Sequence, residues 1–346
     1  MAGLTSQTSR LTAWLRQQHS WLAPAALALF LALVPLILRN PYHRELLNLI
    51  GVYVLVVLGL NLFIGFAGQI SLGHAAFFGL GAYGSAILTV NLQLPAWPAM
   101  VLTALAVAGL ALGIGIPTLR LHGHYLAMAT LGFNYVWHII LVEWDRVTGG
   151  PSGLAGIPPL TVMGLPMDTE SRFYYLIWSL VLVALLLCRN LLHSGVGRGL
   201  AALAQDEVAA ACLGVDVQRS KIKTFVLSAV FASVGGSLYA HYFGYVNPDA
   251  FGIFKSVDLV IMVVVGGLGS VWGTLFGAAL ITVLPHWLDF ISDYFDLVHG
   301  LLLVLILLFL PQGLVTGLWQ HWRWRGVRRR QREAPTADRP EMEPQP

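Results

Sequence analysis

Apolar residues run along this chain in long unbroken blocks, not in the one-faced or alternating patterns of a soluble fold. The blocks fall at 22–38, 46–64, 70–90, 96–117, 124–142, 173–190, 224–243, 258–284 and 298–316. About 20 helical residues cross the hydrocarbon of a bilayer, and only helices satisfy their own backbone polar groups along such runs. The pattern therefore predicts an all-α polytopic membrane protein of about 8–10 transmembrane helices. Two blocks are interrupted. The stretch GFAGQISLGHAAFFGLGAYG (65–84) places Gly65, Gly68 and Gly73 beside Gln69, Ser71 and His74, and VVGGLGSVWG (264–273) places Gly266, Gly267 and Gly269 inside the eighth block. Glycine weakens a helix interior, so both sites predict helix breaks or re-entrant segments. Paired interruptions in the two halves of a chain point to inverted repeats, with a substrate path near their meeting point.

Composition narrows the class further. The chain is 57% hydrophobic and 11% charged, against roughly 25% charged in a soluble domain, so most of its surface must face lipid. Cys188 and Cys212 form no disulfide framework or metal-ligand spacing and read as small apolar residues. The block at 21–38, behind Arg10 and Arg16, resembles a signal peptide. Its length, Pro24, Pro35 and the spans after it favour an uncleaved first helix.

Charge placement sets the expected topology. Six arginines lie within 323–332, straight after the last block. That reads as a cytoplasmic tail by the positive-inside rule, in preference to a nucleic-acid-binding arm. The connection 190–223 is basic and expected inside. The connection 143–172, with two arginines against four acids, is expected outside. Nine simple crossings from a cytoplasmic N-terminus would strand the arginine tail outside. A broken 258–284, entering and returning or crossing twice, restores parity and leaves Asp289, Asp293 and Asp296 on the outer face. The expected organisation is a cytoplasmic segment at 1–20, a membrane domain at 21–318 with a cytoplasmic loop at 197–223, and a cytoplasmic tail at 319–346.

The charge map also constrains energy coupling. No Asp, Glu, Lys or Arg occurs between Glu45 and Arg120, and 225–248, 259–288 and 297–322 are equally bare. Ion-coupled carriers usually keep a titrating or ion-binding carboxylate within the membrane, so a secondary carrier is disfavoured, although carbonyl-built sodium sites stay open. The chain lacks a G-x-x-x-x-G-K-[ST] phosphate loop, and its three lysines lie elsewhere. Active transport would then need ATP hydrolysis on another polypeptide and a surface to dock it. The segment 197–225 offers one: Ala201–Cys212 is rich in helix formers, carries Asp206, Glu207, Ala209 and Ala210, and stops at Gly214. A helix lying on the lipid surface is the plainer reading, and the lack of Trp and Phe there weighs against it.

The chain resembles the permease subunits of branched-chain amino acid ABC importers, the LivH/LivM family, and within it the LivM type. Four motifs in order carry the resemblance: GLNLFIGFAGQISLGHAAFFGLGAYGSAIL (59–88); GHYLAMATLGF (123–133) with TGGPSGLAGIP (148–158); GRGLAALAQDEVAAACLGVDVQRSKIKTFVLSAVFASVGGSLYA (197–240); and VVVGGLGSVWGTLFGAAL (263–280). It implies a subunit of the bacterial inner membrane with no catalytic residues, metal site or cofactor of its own. Its implied partners are a LivH-like second permease, two cytoplasmic ABC ATPases that bind ATP and Mg, and a periplasmic solute-binding protein. The mechanism implied is alternating access, and nucleic acid has no part in it. Permeases for urea and short amides share the scaffold and are the nearest alternative, ahead of a self-sufficient carrier or channel and of a membrane enzyme.

The resemblance implies that 197–225 is the coupling segment, with Asp206, Glu207, Ala209, Ala210 and Gly214 at the ATPase. It departs from the importer pattern E-A-A-x3-G by reading Glu207, Val208, Ala209, Ala210 and then Gly214. Asn61, Gln69, Ser71, His74, Tyr83 and Asn134 are candidates for the substrate path; the plainer readings are a bridge between helices for Asn61 and Asn134, a backbone carbonyl partner for His74, and backbone groups freed at the break for Gln69 and Ser71. Thr148, Gly149 and Gly150 are candidates for the binding-protein face, or a tight turn. His122 and His124 read as interfacial, and Asp258 as a cap.

Overall fold

The computed structural model describes residues 40–162, 164–288 and Gly300. The first and last apolar blocks, the acidic loop at 289–296 and both terminal segments lie outside the described residues. The fold is all-helical apart from two short ladders. Among the described residues five helices are long and apolar enough to cross a membrane: α1 (Pro41–Asn61, continued by a π-helical turn Leu62–Phe66), α3 (Ala96–Thr118), α4 (His124–Glu143), α6 (Glu170–His193) and α9 (Val217–Phe243). Between them lie α2 (His74–Val90), the four-residue α5 (Asp145–Thr148), α7 (Gly195–Gln205) and α8 (Glu207–Cys212). The described part ends with α10 (Ile253–Gly266) and α11 (Gly273–Leu288).

Helix α1 is the axle of the bundle. Asn40 caps it by accepting from the Tyr42 amide at 3.1 Å, Pro41 opens its first turn, and every residue from Ile50 to Asn61 is buried. Over their most apolar stretches α1 is 78% and α9 56% buried, while α3, α4 and α6 are between 28% and 33% buried. The outer three leave Leu102, Leu105, Leu112, Ile116, Met128, Val136, Val183 and Leu187 exposed, the surface expected to meet lipid tails.

Lipid supplies little hydrophobic drive between helices, so close contact must hold α2 on α9. Glycine provides it. A Cβ on Gly81 would collide with the Ser233 carbonyl oxygen, and one on Gly236 with the Phe78 carbonyl oxygen, so the two backbones touch. Ser237 adds a hydrogen bond to the Gly81 carbonyl at 2.9 Å. The glycines in and just before α2 meet different neighbours. Gly84 abuts Thr103 on α3, Gly79 abuts Phe251 and Gly73 abuts Thr130 on α4, so the helix is tightly enclosed on several sides.

The eighth block is two helices, as the glycines require. Helix α10 ends at Gly267 (φ 108°), Gly269 also has a positive φ of 72°, and α11 returns against α10. At 1.5 Å per residue α10 is about 21 Å long, short of the ~30 Å hydrocarbon thickness. The segment expected to hold one docking helix is also divided. Asp206 is extended (φ −159°, ψ 125°), separates α7 from α8, and accepts from the Ala209 amide at 2.8 Å. Helix α9 starts at Val217, seven residues before the apolar block, so Arg219, Lys221 and Lys223 belong to its first turns.

At the other end of α9, the connections 145–162 and 245–251 are joined by the Tyr245 hydroxyl on the Ser152 carbonyl at 2.9 Å. Strand β1 (Leu154–Ala155) pairs antiparallel with β4 (Tyr245–Val246), and β2 (Thr161–Val162) with β3 (Leu165–Pro166).

Candidate functional site

The two helix breaks meet. The Asn61 side chain lies between them: its Oδ1 accepts from the Gly269 amide at 3.1 Å and its Nδ2 donates to the Ser270 carbonyl at 3.0 Å. A Cβ on Gly65 would strike both Asn61 Oδ1 and the Gly269 nitrogen, so glycine is required for the approach. The first break is a widened π turn ending at Gly68 (φ 68°), with α2 restarting at His74. A cavity of about 350 Å³ adjoins both breaks and the end of α6, lined by Phe66, Leu185, Arg189, His193, Ser270 and Trp272 among others.

His74 is buried, and serine hydroxyls engage both ring nitrogens: Ser71 Oγ at 2.9 Å from Nδ1 and Ser228 Oγ at 2.9 Å from Nε2. Ser228 donates onward to the Phe225 carbonyl. An Nε2–H tautomer satisfies the whole chain of hydrogen bonds. The ring thus straps the start of α2 to α9, inside a cluster formed by Phe63, Phe77 and Phe225. Asn134 donates to Ser256 Oγ at 3.2 Å, and Ser256 also accepts from the Ala75 amide. Thr130 Oγ1 accepts from the Leu72 amide at 3.0 Å. Tyr83 stands apart from this group, at the middle of α2, with its hydroxyl on the Val246 carbonyl. Of the pathway candidates, Asn61, Gln69, Ser71 and His74 gather at the breaks, Asn134 faces the start of α2, and Tyr83 stands apart.

The docking segment presents two different faces. Asp206, Ala209 and Gly214 are exposed, as are Val208 (75%) and Leu213 (79%), two large apolar side chains that the sequence pattern did not single out. Ala210 is buried and Glu207 turns inward. The Glu207 carboxylate receives Lys221 Nζ at 2.5 Å and Gln69 Nε2 at 3.0 Å on one oxygen, and lies 3.3 Å from His122 Nε2 on the other. Partial burial by itself would raise its carboxyl pKa. Hydrogen bonds from Lys221 and Gln69, with the charges of Lys221 and His122, outweigh that and hold it below the ordinary 4.5. A depressed carboxyl pKa contributes stability that is complete above about pH 4.5 and lost as pH falls through the folded value. Acidification to about pH 3.5 should therefore lower the thermal midpoint of the detergent-solubilised chain more for wild type than for Glu207→Gln. An equal fall in both proteins would refute the anchoring role.

Thr148, Gly149 and Gly150 form a tight turn. Thr148 is buried, donates to the Leu141 carbonyl at 2.7 Å and accepts from the Gly150 amide. Gly149 and Gly150 both adopt positive φ. The exposed positions of that loop are Pro151, Ser152, Ala155 and Gly156. Among the described residues no group of three or more His, Cys, Asp and Glu side chains could hold a metal ion.

Helices long and apolar enough to cross a membrane, with two helix breaks in contact, are the build of a membrane transport subunit. The family model described as "Branched-chain amino acid transport system / permease component" matches residues 43–307, and the chain belongs to that family. It is 35% identical over 294 residues to the high-affinity branched-chain amino acid transport permease LivM of Escherichia coli K12, covering 78% of this chain and 69% of the relative. It is 25% identical to the LivH permease of Salmonella typhimurium, covering 76% of this chain and 91% of the relative. The ribose import permease RbsC of Haemophilus influenzae is 24% identical, with coverage of 85% and 92%. No solved structure matches the chain.

Proposed function

We propose that this chain is the LivM-type membrane subunit of an ATP-driven importer for branched-chain or similar apolar amino acids in a bacterial inner membrane. The observation that carries the reading is the family match across 43–307. The second permease is LivH-like, two cytoplasmic ATPases bind ATP and Mg, and a periplasmic binding protein delivers the cargo. The α7–α8 end faces the cytoplasm, and the exposed Val208, Ala209 and Leu213 meet an ATPase. The end bearing Pro151 and Ser152 faces the binding protein.

Cargo crosses beside the meeting breaks as a zwitterion, guided mainly by polar backbone and neutral side chains, with Arg189 the charged side chain lining the adjoining cavity. The neighbouring apolar cavity suits an aliphatic side chain. Alternation needs two arrangements of packed elements, and an interrupted helix pair supplies hinges for them.

Co-reconstitution with the candidate ATPases, second permease and binding protein tests this directly. ATP-dependent leucine uptake is the expected result. Uptake of urea or acetamide but not leucine would assign the chain to the amide branch, and ATP-independent flux by the chain alone would overturn the reading. Within the assembled complex, Ala209→Trp should cut ATPase association at least tenfold while leaving the thermal midpoint of the permease unchanged, because position 209 is exposed. Undiminished association would remove α8 from the docking surface.

A further inference from the structure

A continuous set of contacts runs from the docking segment to both helix breaks. The pair α7–α8 is seated on the unwound chain after α1: Ala67 is buried against Leu200 and Leu203, and Gly68 packs on the Ala204 backbone. Glu207, the first residue of α8, holds Gln69 of that unwound chain, and Gln69 Nε2 also approaches the Ala67 carbonyl at 3.3 Å. The amides of Ala67 and Gln69 return to the carbonyls of Leu62 and Phe63 in the π turn. That turn follows Asn61, whose side chain grips Gly269 and Ser270 at the second break. Lys221 is 1% exposed, and its ammonium pins the same carboxylate from α9.

We infer that Glu207 is a coupling residue acting within the chain: its carboxylate ties the docking helix to Gln69 and Lys221, so that movement of α8 is carried into the first break and, through Asn61, into the second. This inference rests on the proposed importer reading. It moves Glu207 off the ATPase surface, leaving Val208, Ala209 and Leu213 to face the partner. The geometry supports the assignment because a buried ammonium needs its carboxylate, so α8 cannot shift without moving that pair or breaking it. Coupling also requires a physically contiguous element with two arrangements, and the break is the deformable part of this path.

Glu207→Ala alone strands the buried Lys221 ammonium and confounds coupling with folding. The informative variants are Gln69→Leu, which leaves the ion pair intact, and the double variant Glu207→Ala/Lys221→Met, which removes both charges. Arg219→Ala, at an exposed surface pair with Asp216, is the control.

Two measurements separate this inference from the importer reading. The first is amide hydrogen exchange of the full chain in nanodiscs without any ATPase. Both informative variants should speed exchange at least tenfold at Ala67, Gln69 and Gly269, with Arg219→Ala unchanged. Protection at Gly269 equal to wild type would overturn the path. The second uses the co-reconstituted complex. Both variants should retain ATPase association and basal ATP hydrolysis but lose at least tenfold in leucine uptake per ATP hydrolysed. Loss of association instead would return Glu207 to the docking surface. Absence of ATP-driven uptake in wild type would sink the importer reading, while the exchange result would still decide the path.

Discussion

Gly236→Val is expected to unfold or disassemble the membrane bundle. The Phe78 carbonyl and the Ala82 amide occupy the space a side chain would take, and both belong to helix backbone that cannot yield locally. Overpacking usually costs 1–3 kcal/mol, and a rigid backbone contact places this substitution at about 3 kcal/mol or more. Gly81→Val should behave alike, since it meets the Ser233 carbonyl across the same seam. The check is the thermal midpoint and the monodisperse fraction of the full chain in detergent. Gly109→Val is the matched control: it also lies on an apolar helix, but nothing lies within 4 Å of the added Cβ. Equal behaviour of the seam variants and this control would mean that backbone contact does not hold α2 against α9.

Asn61→Leu has the second large effect, and it falls on function more than on folding. Leucine is close in size but leaves the Gly269 amide and the Ser270 carbonyl without their partner, at about 1–3 kcal/mol for each buried group left unsatisfied. The turn between α10 and α11 would then detach from the first break. Exchange at the Gly269 amide should rise at least tenfold, and ATP-driven uptake in the reconstituted complex should fall by a similar factor with ATPase association retained. Unchanged uptake with a deprotected Gly269 would show that the two breaks work independently.

The membrane class, the approximate helices within the described residues and both interruptions were legible because each rests on local chemistry. An apolar block must be helical in lipid, and glycine clusters weaken a helix wherever they occur. Boundaries read less well. Helix α9 begins at Val217 because Asp216 caps it by accepting from the Arg219 amide, which extends the helix through basic residues that the hydropathy pattern assigned to a solvated loop. Asp206 similarly splits a stretch whose composition favoured one helix.

The site was legible in its residue types and not in its partners. GFAGQISLGHAAFFGLGAYG contains both Ser71 and His74, three residues apart, so half of the His74 strap lies in the motif. The other half, Ser228, comes from α9 and is one unremarkable serine within an apolar block. Thr148 reads as a polar surface residue beside two glycines, yet the left-handed turn those glycines permit directs its hydroxyl into the bundle.

By itself, the sequence determined that the chain lives in lipid, that two of its helices are interrupted, that it carries no phosphate loop, and which family it resembles. Each of these depends on composition or short-range spacing. Only the tertiary structure decided that the two breaks touch through Asn61, that Glu207 faces inward to Gln69, His122 and Lys221, and that Val208 and Leu213 take the exposed face of α8. The reason is physical: a hydrogen bond or ion pair between residues far apart in the chain is set by how helices pack, and neither partner's local sequence encodes the other's position.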